Sequence, residues 1–375
     1  FDAVNLEYAE RFLALTRTNS LLASLMPWLG AFVTMIILGY GGSLVQQGEI
    51  TLGTFTAFFT YATMVLWPVR QAGALVTQWQ QGASACVRLF EVLDAEPEIE
   101  DRPAAHAPAA ITGRLTFRDF SYRYSGDGAP VLRHIDLEVA PGTTVALLGR
   151  VGAGKTTLLK CLVRLLDPPP GTVLLDGVDV RDYPLAFLRG QVVLVLQDSF
   201  LFGDKLRSNL SYDQPGRDQQ AVWVAAQSAE LAETIESLPE GMETLVGERG
   251  VTLSGGQKQR TNLTRGLVRD APVLLLDDCF SSVDTQTEER ILDALRQRRH
   301  TRTTVLVSHR VSTARHADLI VVLDDGVIVE QGSHRQLMAR SGWYADLERA
   351  QNQQGGRRQG FGALAGDGMG VNAGE

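Results

Sequence analysis

The 375-residue sequence predicts an all-α membrane hairpin followed by an α/β phosphate-binding domain, and three observations carry that prediction. Between Thr18 and Val87 there are 70 residues and only two charges, Glu49 and Arg70. Beyond residue 93 charge returns, and residues 94–375 hold 69 of the 78 charged side chains. Within that charged part an apolar strand runs into Gly149-Arg-Val-Gly-Ala-Gly154-Lys155-Thr156-Thr157, amid alternating β-branched runs and helical patterns. A step of this kind in composition separates two solvents as well as two domains.

Bulk composition removes several function classes. Apolar residues at 45% and charged residues at 21% are ordinary globular values, which excludes wholesale disorder and collagen-like repeats. A net charge of −8 without Lys/Arg-rich blocks gives no support to a nucleic-acid partner. Cys86, Cys161 and Cys279 are too few and too scattered for a disulfide framework or a metal site and read as reduced thiols. The first residue is Phe1, not Met, so a fragment of a longer chain is expected.

The elements follow in order. Thr18–Gly48 is 31 residues without a charge, and a helix needs about 20 apolar residues to cross the hydrocarbon core. A second uncharged run, Ile50–Val69, follows the turn Gln46-Gln47-Gly48-Glu49. Residues 1–93 are therefore expected to form a partial transmembrane domain, with helices over about 20–46 and 51–80 and extensions beyond the lipid. Arg11 and Arg17 precede the first span and Arg88 follows the second, which puts the turn outside and residues 94–375 in the cytoplasm. The location implied is the plasma (inner) membrane, multi-pass, with the lipid bilayer as a partner. A pair of buried core helices is the alternative; a signal peptide is excluded, because the run is too long and lacks a cleavage site. Residues 94–113, rich in Pro, Ala and acids, read as a linker, residues 114–350 as the α/β domain with a largely parallel core sheet, and the Gly-rich residues 351–375 as a flexible tail.

Three segments carry chemistry. In the loop Gly149, Arg150, Val151, Gly152, Ala153, Gly154, the glycines let backbone amides close on phosphate oxygens, and a helix from Lys155 adds its positive end. Lys155 is positioned for the β- and γ-phosphates and Thr156 for Mg²⁺, with Thr157 next in the cradle. Val273-Leu-Leu-Leu276-Asp277-Asp278 is a buried strand ending in two carboxylates, costly to bury unless a cation is near. Asp277 is then the Mg²⁺-side acid and Asp278 the group that orients or deprotonates the attacking water. Leu253-Ser254-Gly255-Gly256-Gln257, opening a helix, is a second amide cradle. One small domain with its own P-loop has no need of two, so the second serves a nucleotide held by another copy in a head-to-tail dimer.

On these residues the chain resembles the ATP-binding cassette (ABC) transporters. Gly149–Thr156 is similar to their Walker A, Asp277 to their Walker B aspartate and Leu253–Gln257 to their signature. Tyr124 resembles the aromatic that stacks on adenine, Gln197 the Q-loop glutamine that senses Mg²⁺ and the membrane domain, Asp284 the D-loop aspartate and His309 the switch histidine. Glu248-Arg-Gly250 and the Arg88–Pro97 segment resemble exporter sequences. The resemblance implies ATP and Mg²⁺ as cofactors, a helical and an antiparallel β subdomain, and the last two of six helices in a half-transporter subunit, four helices lying upstream. It also implies ATP hydrolysis coupled to export of an unidentified substrate, by a dimer of two such subunits.

One position departs from that pattern. Where the family carries glutamate as catalytic base stands Asp278, whose shorter side chain withdraws the carboxylate by about 1.5 Å. Misplacement on the order of 1 Å can cost about a hundredfold in rate. The expectation is a weak site of its own within a heterodimer, the intact signature completing a competent site on a different partner. A slow homodimer, a soluble non-transport ABC ATPase and a regulatory nucleotide-binding subunit are the alternatives.

Overall fold

The computed structural model describes residues 2–124, 126, 128–297 and 302–352; the Gly-rich tail from 353 onward lies outside them. The chain divides into two compact units, Phe1–Glu96 and Pro97–Glu375.

The first unit is two long helices, α1 (Asp2–Gln46) and α2 (Leu52–Leu93). The turn between them is tight: the Gln47 amide donates to the Ser43 carbonyl at 3.0 Å, Gly48 takes φ 73°, and the Thr51 hydroxyl caps α2 by accepting from the Thr54 amide at 3.1 Å. Next to the turn a side chain at Gly41 would come within 2.7 Å of the Phe55 ring, so glycine there admits the aromatic. Elsewhere the helices expose large apolar residues all round, among them Trp28, Phe32, Met35 and Ile36 on α1. A helix apolar on every face suits a lipid solvent better than water. Pro27–Gln46 is 20 residues long with mean hydropathy 1.7, enough to cross a membrane. A second apolar stretch among the described residues covers Leu52–Val65, and helix α2 continues to Leu93.

The second unit is α/β. One sheet has the order β2-β1-β4-β5, from β1 (Leu115–Tyr122), β2 (Leu132–Val139), β4 (Val173–Leu175) and β5 (Val178–Asp179), and is antiparallel. The other has the order β10-β9-β3-β8-β7-β6, from β3 (Thr144–Gly149), β6 (Val192–Val195), β7 (Val273–Asp277), β8 (Thr303–Val307), β9 (Leu319–Asp324) and β10 (Val327–Gly332). It is parallel except for β10, which returns antiparallel along β9. The helices are α3 (Lys155–Leu162), α4 (Leu185–Gln191), α5 (Leu206–Leu210), α6 (Gln219–Ser228), α7 (Ala232–Ser237), α8 (Gly255–Leu267), α9 (Thr285–Gln297), α10 (Val311–Ala314) and α11 (His334–Arg340), with a last helical segment over 343–352.

Strands buried on both faces lose the polar alternation of a half-exposed strand, which explains runs such as Val145–Leu148 and Val273–Leu276. Each run divides between two cores. Val145, Leu147, Val273 and Leu275 pack toward α3 and the antiparallel sheet, while Ala146, Leu148, Leu274 and Leu276 pack toward α6, α8 and α9. Gly266 on α8 makes the second packing close, since a Cβ there would overlap the Val195 side chain. The stretch read as a linker is tied to the cassette at residues 100–102. Arg164 donates to the Glu100 carbonyl at 3.1 Å, Asp101 accepts from the Leu185 amide at 2.6 Å, and Arg102 pairs with Asp182 at 2.7 Å.

Candidate nucleotide-binding site

The P-loop is set by two glycines that no other residue could replace. Gly149, the last residue of β3, has φ 151°, and a Cβ there would overlap the Leu323 carbonyl oxygen of β9. Gly154 has φ 95°, and a Cβ would stand 2.6 Å from the Leu132 side chain. The loop thus turns against β9 and β2 and delivers the N-terminus of α3 to the strand end. Lys155 is the first residue of that helix and is buried, with Nζ donating to the Gly149 carbonyl at 2.9 Å and the Arg150 carbonyl at 2.8 Å. Burial lowers its pKa, and Asp277 and Asp278 pull it back up.

Across β8 from β3, β7 ends in the acidic pair. Asp277 is 2% exposed, and the Thr156 hydroxyl donates to its Oδ1 at 3.0 Å. Burial raises its pKa against that hydrogen bond. Asp278 turns at φ 44°, donates its amide to the Val307 carbonyl at 3.2 Å and accepts from Gln197 Nε2 at 3.2 Å. Its pKa too is raised by burial, an effect opposed by His309, Lys155 and Arg310. Gln197 arrives on the loop after β6 and His309 on the loop after β8. Together with Gly152, Ala153, Gly154, Lys155, Thr156, Thr157 and the two aspartates, they line one cavity of about 300 Å³.

These residues fit a magnesium nucleotide. A buried and a half-buried carboxylate with raised pKa values, a threonine hydroxyl on the buried one and a lysine held by two carbonyls form a site that gains from an anion bearing a cation. Among the described residues no cluster of three or more His, Cys, Asp or Glu could hold a metal alone. A divalent ion held by few protein ligands and by phosphate oxygens is the habit of Mg²⁺.

Three predicted groups lie apart from the cavity wall. Tyr124 is half-exposed, meets Tyr122 edge to face, and is linked to the P-loop helix by a 3.0 Å hydrogen bond between its hydroxyl and that of Thr157. Ser254 caps α8 in a reciprocal box: its amide donates to Gln257 Oε1 at 2.9 Å and its hydroxyl accepts from the Gln257 amide at 3.4 Å. Leu253 anchors this turn in the core, and a Cβ on Gly256 would stand 2.9 Å from the Ser282 carbonyl, so the signature turn rests on the segment before Asp284. Asp284 accepts from the Thr287 amide at 2.9 Å and holds the start of α9; the amide keeps its pKa low.

Several contributors escaped sequence reasoning. Val131 and Val307 complete the cavity wall. Gln259, 7% exposed, bonds both the Ser281 hydroxyl and the Ser282 amide, fastening α8 to the loop before α9. Arg310 pairs with the buried Glu288 at 2.7 Å and donates to the carbonyls of Ser281 and Val283, both at 3.3 Å. Glu288 sits in a heavily charged helix sequence, so nothing local marked it as buried; Arg310 was visible only as the neighbour of His309.

A P-loop on the central strand, an acidic pair on the next strand but one, and a capped Ser-Gly-Gly helix outside that cavity define a nucleotide-binding cassette of the ABC class. Comparison with known proteins agrees. Residues 132–281 match the family described as ABC transporter. An ATP-dependent lipid A-core flippase of Syntrophus aciditrophicus is 40% identical over 333 residues, covering 89% of this chain and 55% of the flippase. The ABC transporter ATP-binding protein YknV of Bacillus subtilis is 36% identical over 351 residues, covering 94% of this chain and 58% of the relative. Among solved structures, a bacterial Atm1-family ABC exporter with ATP bound aligns with a TM-score of 0.74 at 36% identity, over 90% of this chain and 59% of that one. Through its cassette the chain belongs to the ABC transporter family, and it spans a little more than half the length of the relatives it matches.

Proposed function

We propose that this chain is the ATP-hydrolysing part of an ABC exporter subunit, with the helices of Phe1–Glu96 in the membrane and the cassette in the cytoplasm. The observation that carries this is the division of the phosphate-binding parts. Lys155, Thr156, Gln197, Asp277, Asp278 and His309 share one cavity, and the Leu253–Gln257 turn has no place in its wall. A second cassette, packed head to tail, would bring its signature to this P-loop and receive this signature on its own.

In that arrangement Lys155 exchanges its two carbonyl partners for β- and γ-phosphate oxygens, and the amides of Gly152–Thr156 take the remaining phosphate charge. Thr156, Asp277 and Gln197 would hold Mg²⁺, which neutralises phosphate charge when bound. Asp278 orients water for in-line attack and accepts its proton as the bond to the leaving phosphate breaks; His309 holds the γ-phosphate from the other side. Tyr124, tethered beside the P-loop, offers its ring to the base. Binding would draw two cassettes together, and hydrolysis with product release would part them, with the Gln197 loop passing the stroke to the membrane helices. The relatives named as lipid A-core flippases make an amphipathic lipid the first substrate class to test.

Asp278 makes this chain's own site the slower of two in a heterodimer, since its carboxylate stops about one C–C bond short of where glutamate would place it. The test is ATPase activity of the full-length subunit, alone and with candidate partner subunits. The expected result is slow turnover alone, raised about tenfold or more by Asp278→Glu. Brisk turnover by a homodimer that Asp278→Glu does not improve would exclude the heterodimer.

A further inference from the structure

We propose that Gln351, at the far end of the described chain, is a positioning residue for the switch loop that carries His309. The inference rests on the ATPase reading above. Helix α10 begins at Val311, whose amide has no partner within its own helix. The Gln351 side chain supplies one: its Oε1 accepts from the Val311 amide at 2.9 Å, and its Nε2 donates to the His309 carbonyl at 2.7 Å. One amide group thereby spans the loop on both sides of Arg310. On the other flank Ser308 is buried, donates its amide to the Leu147 carbonyl at 3.2 Å and accepts the Arg310 amide on its hydroxyl at 3.0 Å. The main chain around His309 is thus fixed from β3 behind and from Gln351 in front.

Gln351 is delivered rigidly. In the helical segment 343–352, residues 344, 347 and 351 share one face, at spacings of three and seven. Tyr344 is fully buried and its hydroxyl meets His334 Nδ1 at 2.7 Å, and Leu347 packs on the same core. Two turns of helix rooted in the core therefore end in the side chain that brackets the switch loop. Moving or removing this side chain frees the His309 backbone without touching the P-loop, the acidic pair or the signature. Its loss should slow the step in which His309 meets the γ-phosphate and leave nucleotide affinity alone.

The test is the full-length subunit reconstituted in lipid without a partner, so that turnover reports this chain's own site, as wild type, Gln351→Ala and Gln351→Glu. Alanine removes both hydrogen bonds; glutamate keeps an acceptor for Val311 but sets an oxygen against the His309 carbonyl. Both variants are expected to lower kcat for ATP about fivefold, the worth of one hydrogen bond, with KM within about twofold of wild type. Melting temperature should stay within about 3 °C, as expected for a side chain that supports no core. Unchanged kcat in both variants overturns the proposal, as does a loss of kcat that only follows a fall in melting temperature or a rise in KM. If wild type alone turns over no ATP, the ATPase reading of this chain's own site fails first and this inference with it.

Discussion

The two phosphate cradles of this cassette differ in how complete they are. The P-loop end gathers a lysine, a buried and a half-buried acid and a threonine hydroxyl around one cavity, so charge and shape are both present. The signature end has a helix N-terminus whose orphan amides are partly satisfied by its own Ser254–Gln257 box, and none of its residues lines the cavity. One is a site and the other a complement to a site. On the reading proposed above the difference makes a pair of cassettes the unit of activity, and substitutions at the two ends should fail differently.

The largest effect is expected at the P-loop. Lys155→Ala removes a cation aimed at developing phosphate charge and should lower ATPase about a hundredfold or more. It should also abolish the thermal stabilisation of the isolated subunit by Mg²⁺–ATP, measured by a melting shift. At the signature, Ser254→Ala should leave that shift intact, because the subunit's own P-loop is untouched. It costs the α8 cap about 1 kcal/mol and should slow turnover in the assembled pair about tenfold or less. If Ser254→Ala abolished nucleotide binding by a lone subunit, the division of labour would collapse.

The smallest effect separates the ends by pH. Burial raises the pKa of Asp277, so the ligand-free fold binds that proton more tightly than the unfolded chain does. Stability therefore falls as pH rises from the ordinary carboxylate range through the raised value. Asp284, whose pKa is lowered by the Thr287 amide, has the opposite sign and loses its contribution as pH falls. Asp277→Asn keeps an acceptor for Thr156, so it should flatten the decline of the ligand-free melting temperature above the ordinary carboxylate range while removing the Mg²⁺-dependent part of the ATP shift. A pH profile unchanged by Asp277→Asn would sink this account.

Much of the fold was legible because burial on both faces leaves a plain signature. Strands β3 and β7 read as short apolar runs, and glycines marked the turn where β9 forbids a side chain. The Ser254–Gln257 cap was legible as a helix start. The buried pairing of Glu288 with Arg310 and the Gln351 bracket were not, because each joins residues tens of positions apart through a geometry only the folded core supplies. The second long helix was legible as an uncharged run after the Gln46–Glu49 turn, with Gln78, Gln80 and Gln81 read as its continuation beyond the lipid. Asp278 was read from sequence as a shortened base; its bond to Gln197 emerged only when the loops after β6 and β7 were seen side by side.

The lysine of the P-loop has a further meaning. Its ammonium lies against two carbonyls of its own loop, so its positive charge is answered within the loop. On the proposed reading a nucleotide entering the cavity would exchange one set of oxygens for another, and the charge would pass from one set of partners to the next without being left bare.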